Sequence, residues 1–336
     1  MKIKSQKCAI CRNELFRYYY KGRDRFYGVE GFFDIIRCDS CGLLSIVPIP
    51  SPETLKKHYP SNYYSYNDTE RISPRLNSLK EKLRFYLSHP IKALNCIVYS
   101  KLLKQKDLLV YSKGANVLDI GCGDGRYLLG KSQQGCSCFG IDIDSAALKR
   151  LQEKDSSVKV FCGDIWDANF KEETFDIVNL DNVFEHITEP ERLLDEVKSV
   201  MAKDGLLRLV VPNSSSLTHK IFRSRWMGLD VPRHIYTYSI GNLKRLFKKK
   251  GFAIKSVRTI ENSFDFLGSI IYLINDIFKT DYKVMDCDNI WDNEFLKFLF
   301  SPYAFLVNGF KIGDSVEVIL QSNGKGKCYN GRSKPT

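Results

Sequence analysis

A loop of three alternating glycines, entered directly from an apolar segment, constrains the fold of this chain more than any other sequence feature. Residues 117–125 read Val-Leu-Asp-Ile-Gly-Cys-Gly-Asp-Gly. The apolar residues predict a buried parallel strand, and the glycines let backbone amides approach a ligand that a Cβ atom would block. A helix is predicted to begin at Arg126. We therefore expect a strand, a nucleotide-binding loop and a helix in direct succession.

The residues around this loop favour S-adenosylmethionine (SAM) over NAD as its ligand. Arg126 occupies the position of the third glycine in the dinucleotide-binding pattern G-x-G-x-x-G, and Asp119 lies in the strand before the turn. A second apolar strand is predicted over residues 138–143. It places Asp142 about twenty residues after the loop, where a carboxylate is expected to hold the ribose hydroxyls.

Two further predicted strands also end in polar residues. Residues 158–162 precede Asp164, which is expected to meet the adenine together with neighbouring amides. Residues 175–180 lead into a fourth polar group at the same edge of the sheet. The predicted cofactor-binding residues are Asp119, Gly121, Cys122, Gly123, Gly125, Asp142, Ile143, Asp164, Ile165, Asp181 and Asn182.

Taken together, V-L-D-I-G-C-G-D-G, G-I-D-I-D, G-D-I and F-D-I-V-N-L-D-N-V-F-E-H-I resemble the successive motifs of class I SAM-dependent methyltransferases. The resemblance covers residues 114–258. It implies an α/β fold, a doubly wound seven-stranded Rossmann-like sheet, with SAM lying across the carboxyl ends of the strands. The alternative is an α/β domain that binds no cofactor, and four motifs in the family's order argue against it.

Two Cys-x-x-Cys pairs near the N-terminus predict a metal site. Cys8 and Cys11 form the first pair, Cys38 and Cys41 form the second, and a hairpin over residues 15–37 can bring the pairs together. Four thiolates leave no open coordination position, so we expect a structural Zn²⁺ rather than a catalytic one. Unligated cysteines and a redox pair are the alternatives. Neither pair opens a helix in a βαβ unit, which argues against a redox role.

Composition divides the rest of the chain. The Pro-rich stretch 48–52 is expected to end the ribbon, with Ser51 capping a helix. The aromatic cluster 59–66 either lines an acceptor pocket or packs the ribbon onto the catalytic domain. Helices are predicted over residues 75–110, and in class I methyltransferases helices at this place commonly cover the SAM site. The predicted units are a zinc ribbon (1–50), a linker and helical cap (51–113), the SAM-binding methyltransferase domain (114–258), C-terminal helices with a final strand (259–322) and a disordered tail (323–336).

The full set of features resembles a narrower group. A double-knuckle ribbon, a Pro-rich joint, a Tyr-rich turn, the methyltransferase motifs and Val231-Pro-Arg-His-Ile-Tyr236 are similar to bacterial methyltransferases with an N-terminal zinc-binding region. These enzymes are frequent in sugar and polysaccharide biosynthesis. The resemblance implies methyl transfer to a sugar, nucleotide-sugar or glycan precursor, at oxygen or at carbon. It names the reaction better than the acceptor.

Candidate catalytic residues follow the fourth strand and lie in a later loop. His186 is the leading general base, since an unshifted imidazole is partly neutral at about pH 7 and can accept a hydroxyl proton. Glu185 is expected to orient His186 or to bind a sugar hydroxyl. His234 is the second candidate base, and Arg233 beside it is a candidate for gripping a phosphate or carboxylate. The alternative for all four is a structural role in holding their loops.

The formal net charge of +12 predicts attraction to anionic partners, namely nucleotide-linked substrates, anionic lipid or RNA. An RNA methyltransferase that docks through its zinc ribbon is the alternative function. The residues after the fourth strand lack the Asn/Asp-Pro-Pro-Tyr motif of many amino-directed base methylases. We therefore expect a small-molecule substrate rather than nucleic acid.

The hydropathy of the chain predicts a cytoplasmic protein. No stretch approaches the roughly twenty uninterrupted apolar residues of a spanning helix, and the N-terminus lacks the apolar core of a signal peptide. Residues 264–278 and 295–310 are rich in aromatic side chains. Burial against the sheet is expected for them. The alternative is a peripheral contact between one of these helices and an anionic membrane.

Overall fold

The computed structural model describes residues 2–4, 7–60, 109, 112–261, 264–282, 284 and 294–322. The predicted tail lies outside the described residues. So do the tyrosines that follow Tyr59 in the aromatic cluster and, apart from Leu109, the predicted helices up to residue 110.

The larger of two sheets has seven strands, β5 Asn116–Ile120, β6 Ser137–Asp142, β7 Lys159–Cys162, β8 Phe175–Asp181, β9 Met201–Pro212, β11 Phe252–Ile260 and β12 Ser315–Ser322. Their order in the sheet is β11-β12-β9-β8-β5-β6-β7. Strands β5 to β9 run parallel, whereas β12 is antiparallel to both of its neighbours. From central β5 the chain adds strands first on one side and then on the other, which creates the switch point where such sheets bind ligands. The predicted seven-stranded α/β fold is thereby confirmed.

One described helix precedes these strands and the others lie between them. Several begin at a side-chain cap, as at Ser239, whose hydroxyl accepts from the Asn242 amide at 3.1 Å. Of the helices in the described ranges, none combines the length and apolarity needed to cross a bilayer. The helices are α1 Pro52–Lys57, α2 Arg126–Ser132, α3 Ser145–Lys154, α4 Pro190–Val200, α5 Leu217–Phe222, α6 Ile240–Lys249, α7 Phe264–Phe278 and α8 Glu294–Gly309.

A second, antiparallel sheet carries the four cysteines and reaches into the catalytic domain. Its strands are β1 Lys2–Lys4, β2 Leu15–Gly22, β3 Phe33–Cys38, β4 Leu44–Val47 and β10 Tyr236–Thr237. The predicted hairpin is formed by β2 and β3. Strand β10 comes from the catalytic half of the chain and pairs with β4, placing Tyr236 opposite Ser45. The ribbon is therefore joined to the catalytic domain by main-chain hydrogen bonds.

The last described strand, β12, lies inside the seven-stranded sheet rather than at its edge. Its residues pair with β9 on one side and with β11 on the other. Burial of five consecutive residues, Val316 to Leu320, agrees with a strand covered on both faces. The C-terminal segment thus completes the sheet that residues 114–258 begin.

The glycine that opens α2 gives the first testable prediction. Gly125 has φ of +71°, and a Cβ atom there would lie 2.2 Å from Leu151 Cδ1. Gly125→Ala is expected to lower the free energy of unfolding by about 1–3 kcal/mol, measured by urea denaturation. The matched control is Gly130→Ala inside α2, where nothing lies within 4 Å of the added atom. It should be neutral or stabilising by up to about 1 kcal/mol, because alanine favours the helix. Equal losses in both variants would contradict the strained loop.

Candidate active site

The glycine loop is fixed between the ends of β6 and β8. Gly121, Gly123 and Gly125 have φ values of +70°, +50° and +71°, which disfavour any residue with a Cβ. The Gly121 amide donates to the Ile141 carbonyl at 2.7 Å, which ties the loop to β6. A Cβ atom on Gly121 would lie 2.5 Å from Val183 Cγ2. The loop therefore passes directly against the segment that follows β8.

Beside the loop, Asp142 presents a carboxylate at the end of β6. It accepts from the amide of Gly123 at 2.8 Å and from that of Asp144 at 2.9 Å. These bonds orient the carboxylate and leave it lone pairs for further donors. The next residue, Ile143, is 75% exposed. A carboxylate beside an exposed apolar side chain is suited to a nucleoside, whose ribose donates hydroxyls and whose base is flat and largely apolar.

Asp119 lies under the loop rather than in the open cleft. Its carboxylate is buried and accepts from Asn179 Nδ2 at 2.6 Å. Burial raises the pKa of Asp119 to about 7. Arg208 donates at 2.8 Å both to the Asn179 amide oxygen and to the Asp181 carboxylate. A polar chain across β5, β8 and β9 therefore links the floor of the loop to Asp181.

The remaining predicted cofactor residues stand at the same edge of the sheet. Strand register aligns Ile120 with Ile141 and with Leu180, and aligns Asp142 with Cys162. The ends of these four strands are thus neighbours. The glycine loop, Ile143, Asp164 and Asn182 follow directly or closely after them. Asp164 is exposed and Asp181 partly exposed, whereas Cys122 and Ile165 are buried beneath them. The structure brings the predicted set together, with Asp119, Cys122 and Ile165 as its buried support.

The three candidate catalytic residues meet in one cluster. Glu185 and His186 belong to a 3₁₀ turn, Phe184–His186, that directly follows β8. His234 Nε2 lies 3.7 Å from Glu185 Oε1, and the rings of His186 and His234 have their centroids 4.8 Å apart. Glu185 is fully buried, which raises its pKa well above the ordinary value. We call these three residues the acceptor cluster.

Backbone carbonyls fix the proton positions on both histidines. His186 Nδ1 lies 2.9 Å from the Arg233 carbonyl, and His234 Nδ1 lies 3.0 Å from the Gly228 carbonyl. A carbonyl oxygen can only accept, so each Nδ1 carries the hydrogen and each Nε2 is left with a lone pair. Burial lowers the pKa of both rings, that of His186 to about 3. The predicted unshifted imidazole at His186 is therefore wrong, because the sequence alone did not show its burial.

Arg233 has no donor left for a phosphate or carboxylate of the substrate. Its Nη1 donates to Asp24 at 2.9 Å and to the His58 carbonyl at 2.7 Å. Its Nη2 donates to Asp24 and Asp230, and its Nε donates to Asp230 at 2.8 Å. All five N–H groups are satisfied, and the side chain is fully buried. The prediction that Arg233 binds a phosphate or carboxylate of the substrate is therefore wrong. The geometry instead fits the alternative that Arg233 holds its own loop in place.

The residues that pair with this loop were not predicted from the sequence. Asp230 stands three residues before Arg233 and four before His234, a spacing that could have indicated a local contact. Asp24 pairs with His58 at 2.8 Å and with Arg233, but its separation of 209 residues from Arg233 leaves no local signal. Tyr59, predicted only as part of an aromatic cluster, places its hydroxyl 3.2 Å from His186 Nδ1. The described end of that cluster therefore borders the acceptor cluster.

The four N-terminal cysteines converge as their spacing predicts. The Sγ atoms of Cys8 and Cys41 are 3.5 Å apart, as are those of Cys11 and Cys38, and all four lie within 4.8 Å of one another. Tetrahedral zinc with Zn–S bonds of about 2.3 Å holds its sulfur ligands roughly 3.8 Å apart. None of these cysteines forms a disulfide. The donor set and its spacing fit a structural Zn²⁺.

Comparison with known proteins finds similarity to methyltransferases. Residues 91–257 match the family model described as a methyltransferase domain. These residues, just under half of the chain, are thus similar to a methyltransferase domain. Solved structures with a similar fold include a SAM-dependent methyltransferase from Mesorhizobium loti, 14% identical, with a TM-score of 0.42 over 63% of this chain and 93% of that one. A Haloferax volcanii complex of the Trm112 methyltransferase activator with a putative methyltransferase is 12% identical, with a TM-score of 0.47 over 74% of this chain and 100% of that one.

Curated relatives align with only part of the chain. An uncharacterised protein of Methanocaldococcus jannaschii is 27% identical over 48% of this chain and 66% of its own length. An uncharacterised transposon protein of Streptomyces fradiae is 29% identical over 47% of this chain and 49% of its own length. The ubiquinone biosynthesis O-methyltransferase of Coxiella burnetii is 25% identical over 31% of this chain and 47% of its own length. The matched region thus spans from about half to just under two thirds of these relatives.

The Arg233 network generates the second prediction. Arg233→Met leaves the carboxylates of Asp24 and Asp230 buried without their cation, so we expect the free energy of unfolding to fall by about 3–5 kcal/mol. Urea denaturation measures this loss. Arg17→Met is the matched control, because Arg17 pairs with Asp39 while its side chain is 66% exposed, and its stability should match the wild type. A small loss at Arg233, similar to that at Arg17, would contradict the role given to the network.

Proposed function

We propose that this protein transfers the methyl group of SAM to a hydroxyl of a sugar, nucleotide-sugar or glycan precursor. The observation that carries the proposal is the acceptor cluster, in which Glu185, His186 and His234 stand beside the segment that touches the glycine loop. Neither carboxylate oxygen of Glu185 has a hydrogen-bond partner among the described residues. A polyhydroxylated acceptor would supply the donors that this cluster lacks.

The cofactor side of the site supports SAM. Asp142, oriented by the Gly123 amide, would take the ribose hydroxyls, and Ile143 with the residues at Asp164 would meet the adenine. The positive φ angles of the glycines bring the backbone close enough for the methionine part of the ligand. Asp181 and Asn182 complete the edge nearest the acceptor cluster. When bound, SAM supplies a methyl group that its sulfonium already activates.

The protein must then align the acceptor and remove one proton. Glu185 is the proposed proton acceptor, because its carboxylate has no hydrogen-bond donor among the residues that the structure covers and lies within the cluster. His234 and His186 would orient the acceptor through their Nε2 atoms. The backbone carbonyls of Gly228 and Arg233 hold both rings in place. His186 thereby changes from the predicted base to a positioning residue.

Nucleic acid is a weaker candidate acceptor. Its support is the net charge of +12 and the ribbon, neither of which points to a particular surface. Arg233, which adjoins His234 in the same loop, forms ion pairs with Asp24 and Asp230 and is therefore not available to bind a phosphate of nucleic acid. We therefore place RNA methylation among the outcomes of the acceptor assay below.

Zinc is proposed as a structural ion at the four cysteines. The Cys8 amide donates to the Asn13 carbonyl and the Cys38 amide to the Leu43 carbonyl, both at 2.9 Å, so main-chain hydrogen bonds close both knuckles. Strand β10 joins the same sheet that carries these cysteines. Zinc would therefore stabilise the sheet edge next to His234 rather than take part in methyl transfer.

The third prediction concerns the acceptor. Incubation with methyl-labelled SAM and either a pool of nucleotide sugars or total RNA should label the sugar fraction and not the RNA. Glu185→Gln keeps the side-chain size but removes the proton acceptor, so kcat should fall by about 10²–10⁴-fold. SAM affinity, measured separately by calorimetry, should change little. Label found in RNA alone would overturn the proposed acceptor, and joint loss of SAM binding and activity would overturn the role of Glu185.

The fourth prediction concerns the ion. The purified protein should contain one zinc that a strong thiol reagent releases, as measured by a colorimetric zinc assay. Cys38→Ser should lose this zinc and lower the melting temperature, because structural zinc contributes to folding free energy. Cys136→Ser, at a partly buried cysteine outside the cluster, should keep both. Zinc content that is the same in the Cys38 and Cys136 variants would contradict the proposal.

A further inference from the structure

We propose that the acceptor cluster is a second metal site, in which Glu185 Oε1 and the Nε2 atoms of His186 and His234 bind one divalent transition-metal cation. The ion would hold the acceptor's hydroxyl oxygen. Its role in methyl transfer rests on the proposed function, whereas the binding of the ion does not. This site is separate from the four cysteines and contains no sulfur.

The cluster has an excess of lone pairs. Both histidines donate through Nδ1 to backbone carbonyls, so both Nε2 atoms can only accept. Glu185 is fully buried, and in the part of the chain that the structure describes neither of its oxygens has a hydrogen-bond donor. Buried acceptors without a donor are costly, and a proton held by Glu185 would satisfy only one of the two imidazole nitrogens. A cation satisfies all three at once.

The spacing of the ligand atoms in the cluster also fits a single ion. One ligand atom from each of the three residues lies within 4.8 Å of the other two. His234 Nε2 and Glu185 Oε1 are 3.7 Å apart, which is too long for a shared proton to form a hydrogen bond. Two ligands bound to one zinc-like ion at about 2.0–2.1 Å stand roughly 3.3 Å apart. A small inward movement of these side chains would therefore close the coordination.

Both histidine rings are held in the way that metal-binding histidines commonly are. Metal-binding histidines commonly donate their second N–H to a backbone carbonyl, which fixes both the tautomer and the orientation of the ring. Gly228 and Arg233 supply such carbonyls here. The Arg233 backbone is fixed by the five donors of its side chain, and Ile235 donates from its amide to the Glu185 carbonyl at 2.9 Å. The loop and the 3₁₀ turn are thus held together at the level of the main chain.

Three protein ligands leave coordination positions for a substrate. A His₂-carboxylate set with open positions suits divalent ions such as Zn²⁺, Fe²⁺, Mn²⁺ and Co²⁺. The His234 side chain is 10% exposed and His186 is partly buried, so the cluster is reachable. An acceptor hydroxyl bound to the ion would become more acidic, as metal-bound water does.

In an O–H acceptor, the O–H bond breaks and its proton passes to Glu185 Oε2, the carboxylate oxygen that does not bind the ion. The hydroxyl oxygen forms a bond to the methyl carbon of SAM. The carbon–sulfur bond breaks, and its electron pair returns to sulfur, which becomes a neutral thioether. The ion keeps its charge throughout, and Glu185 later releases the proton to water.

Cobalt titration tests the site without any acceptor. The probe is Co²⁺ alone, added to the protein whose cysteine site is loaded with zinc, and followed by visible absorption and calorimetry. We expect one Co²⁺ to bind with weak ligand-field bands and without the intense thiolate-to-cobalt charge-transfer band of a cysteine site. Glu185→Gln and His234→Gln should each weaken this binding by at least about 100-fold, because each removes a direct ligand.

His219 offers the matched control. It is also a buried histidine, but Nδ1 contacts the Ser214 carbonyl at 2.6 Å and Nε2 contacts the Tyr20 hydroxyl, so no ring nitrogen is free for an ion. His219→Gln should bind Co²⁺ like the wild type. Thermal unfolding and SAM binding identify any variant that fails to fold.

The result that overturns the proposal is a folded, SAM-binding wild type that shows no sulfur-free cobalt spectrum, or variants at Glu185 and His234 that bind Co²⁺ as the wild type does. Methyl transfer to sugars without such a spectrum would refute the metal site and leave the proposed function standing. A cobalt spectrum without labelling of the sugar pool would support the metal site and refute the proposed function.

Discussion

The buried guanidinium of Arg233 is the interaction on which the acceptor side of this protein depends. It gathers a carboxylate from the ribbon, Asp24, a carboxylate from its own loop, Asp230, and the carbonyl at the end of α1, His58. A buried charge is tolerated only when it is paired and its donors are satisfied. Separating the ribbon from the loop would leave buried charges unpaired and would therefore cost folding free energy. Because His234 is the next residue, the same network sets the position of a cluster member.

The loop that carries His234 also meets the cofactor side. Backbone bonds run from Ile46 of the ribbon to Ile235 and from Ile235 to Glu185, each between an amide and a carbonyl, at 3.1 Å and 2.9 Å. Val183, two residues before Glu185, packs where Gly121 has no Cβ. A continuous path of close contacts therefore leads from the ribbon through the acceptor cluster to the glycine loop. The ribbon helps to build the site instead of only preceding it.

The sequence predicted the parts of this structure that depend on local pattern. The strand before Gly121, the helix after it and the helix capped by Ser51 follow from periodicity, glycine and capping, and each formed where expected. The insertion of β12 between β9 and β11 depends on pairing over long separations, which no local pattern encodes. The lowered pKa of His186 and the full occupation of Arg233 are likewise products of burial by distant segments. These two features determine which side chains can act on a substrate, and only the folded structure shows them.

The central claim is that SAM binds across the glycine loop and Asp142, and calorimetric titration with SAM tests it most directly. The account predicts one SAM per chain, no binding of NADH and an affinity about 10–100-fold weaker in Asp142→Ala, since a charge-assisted hydrogen bond to the ribose is lost. Asp155→Ala, at the opposite edge of the sheet where it accepts from Ser132, should bind SAM like the wild type. NADH binding as tight as that of SAM, or unchanged affinity in Asp142→Ala, would contradict the account.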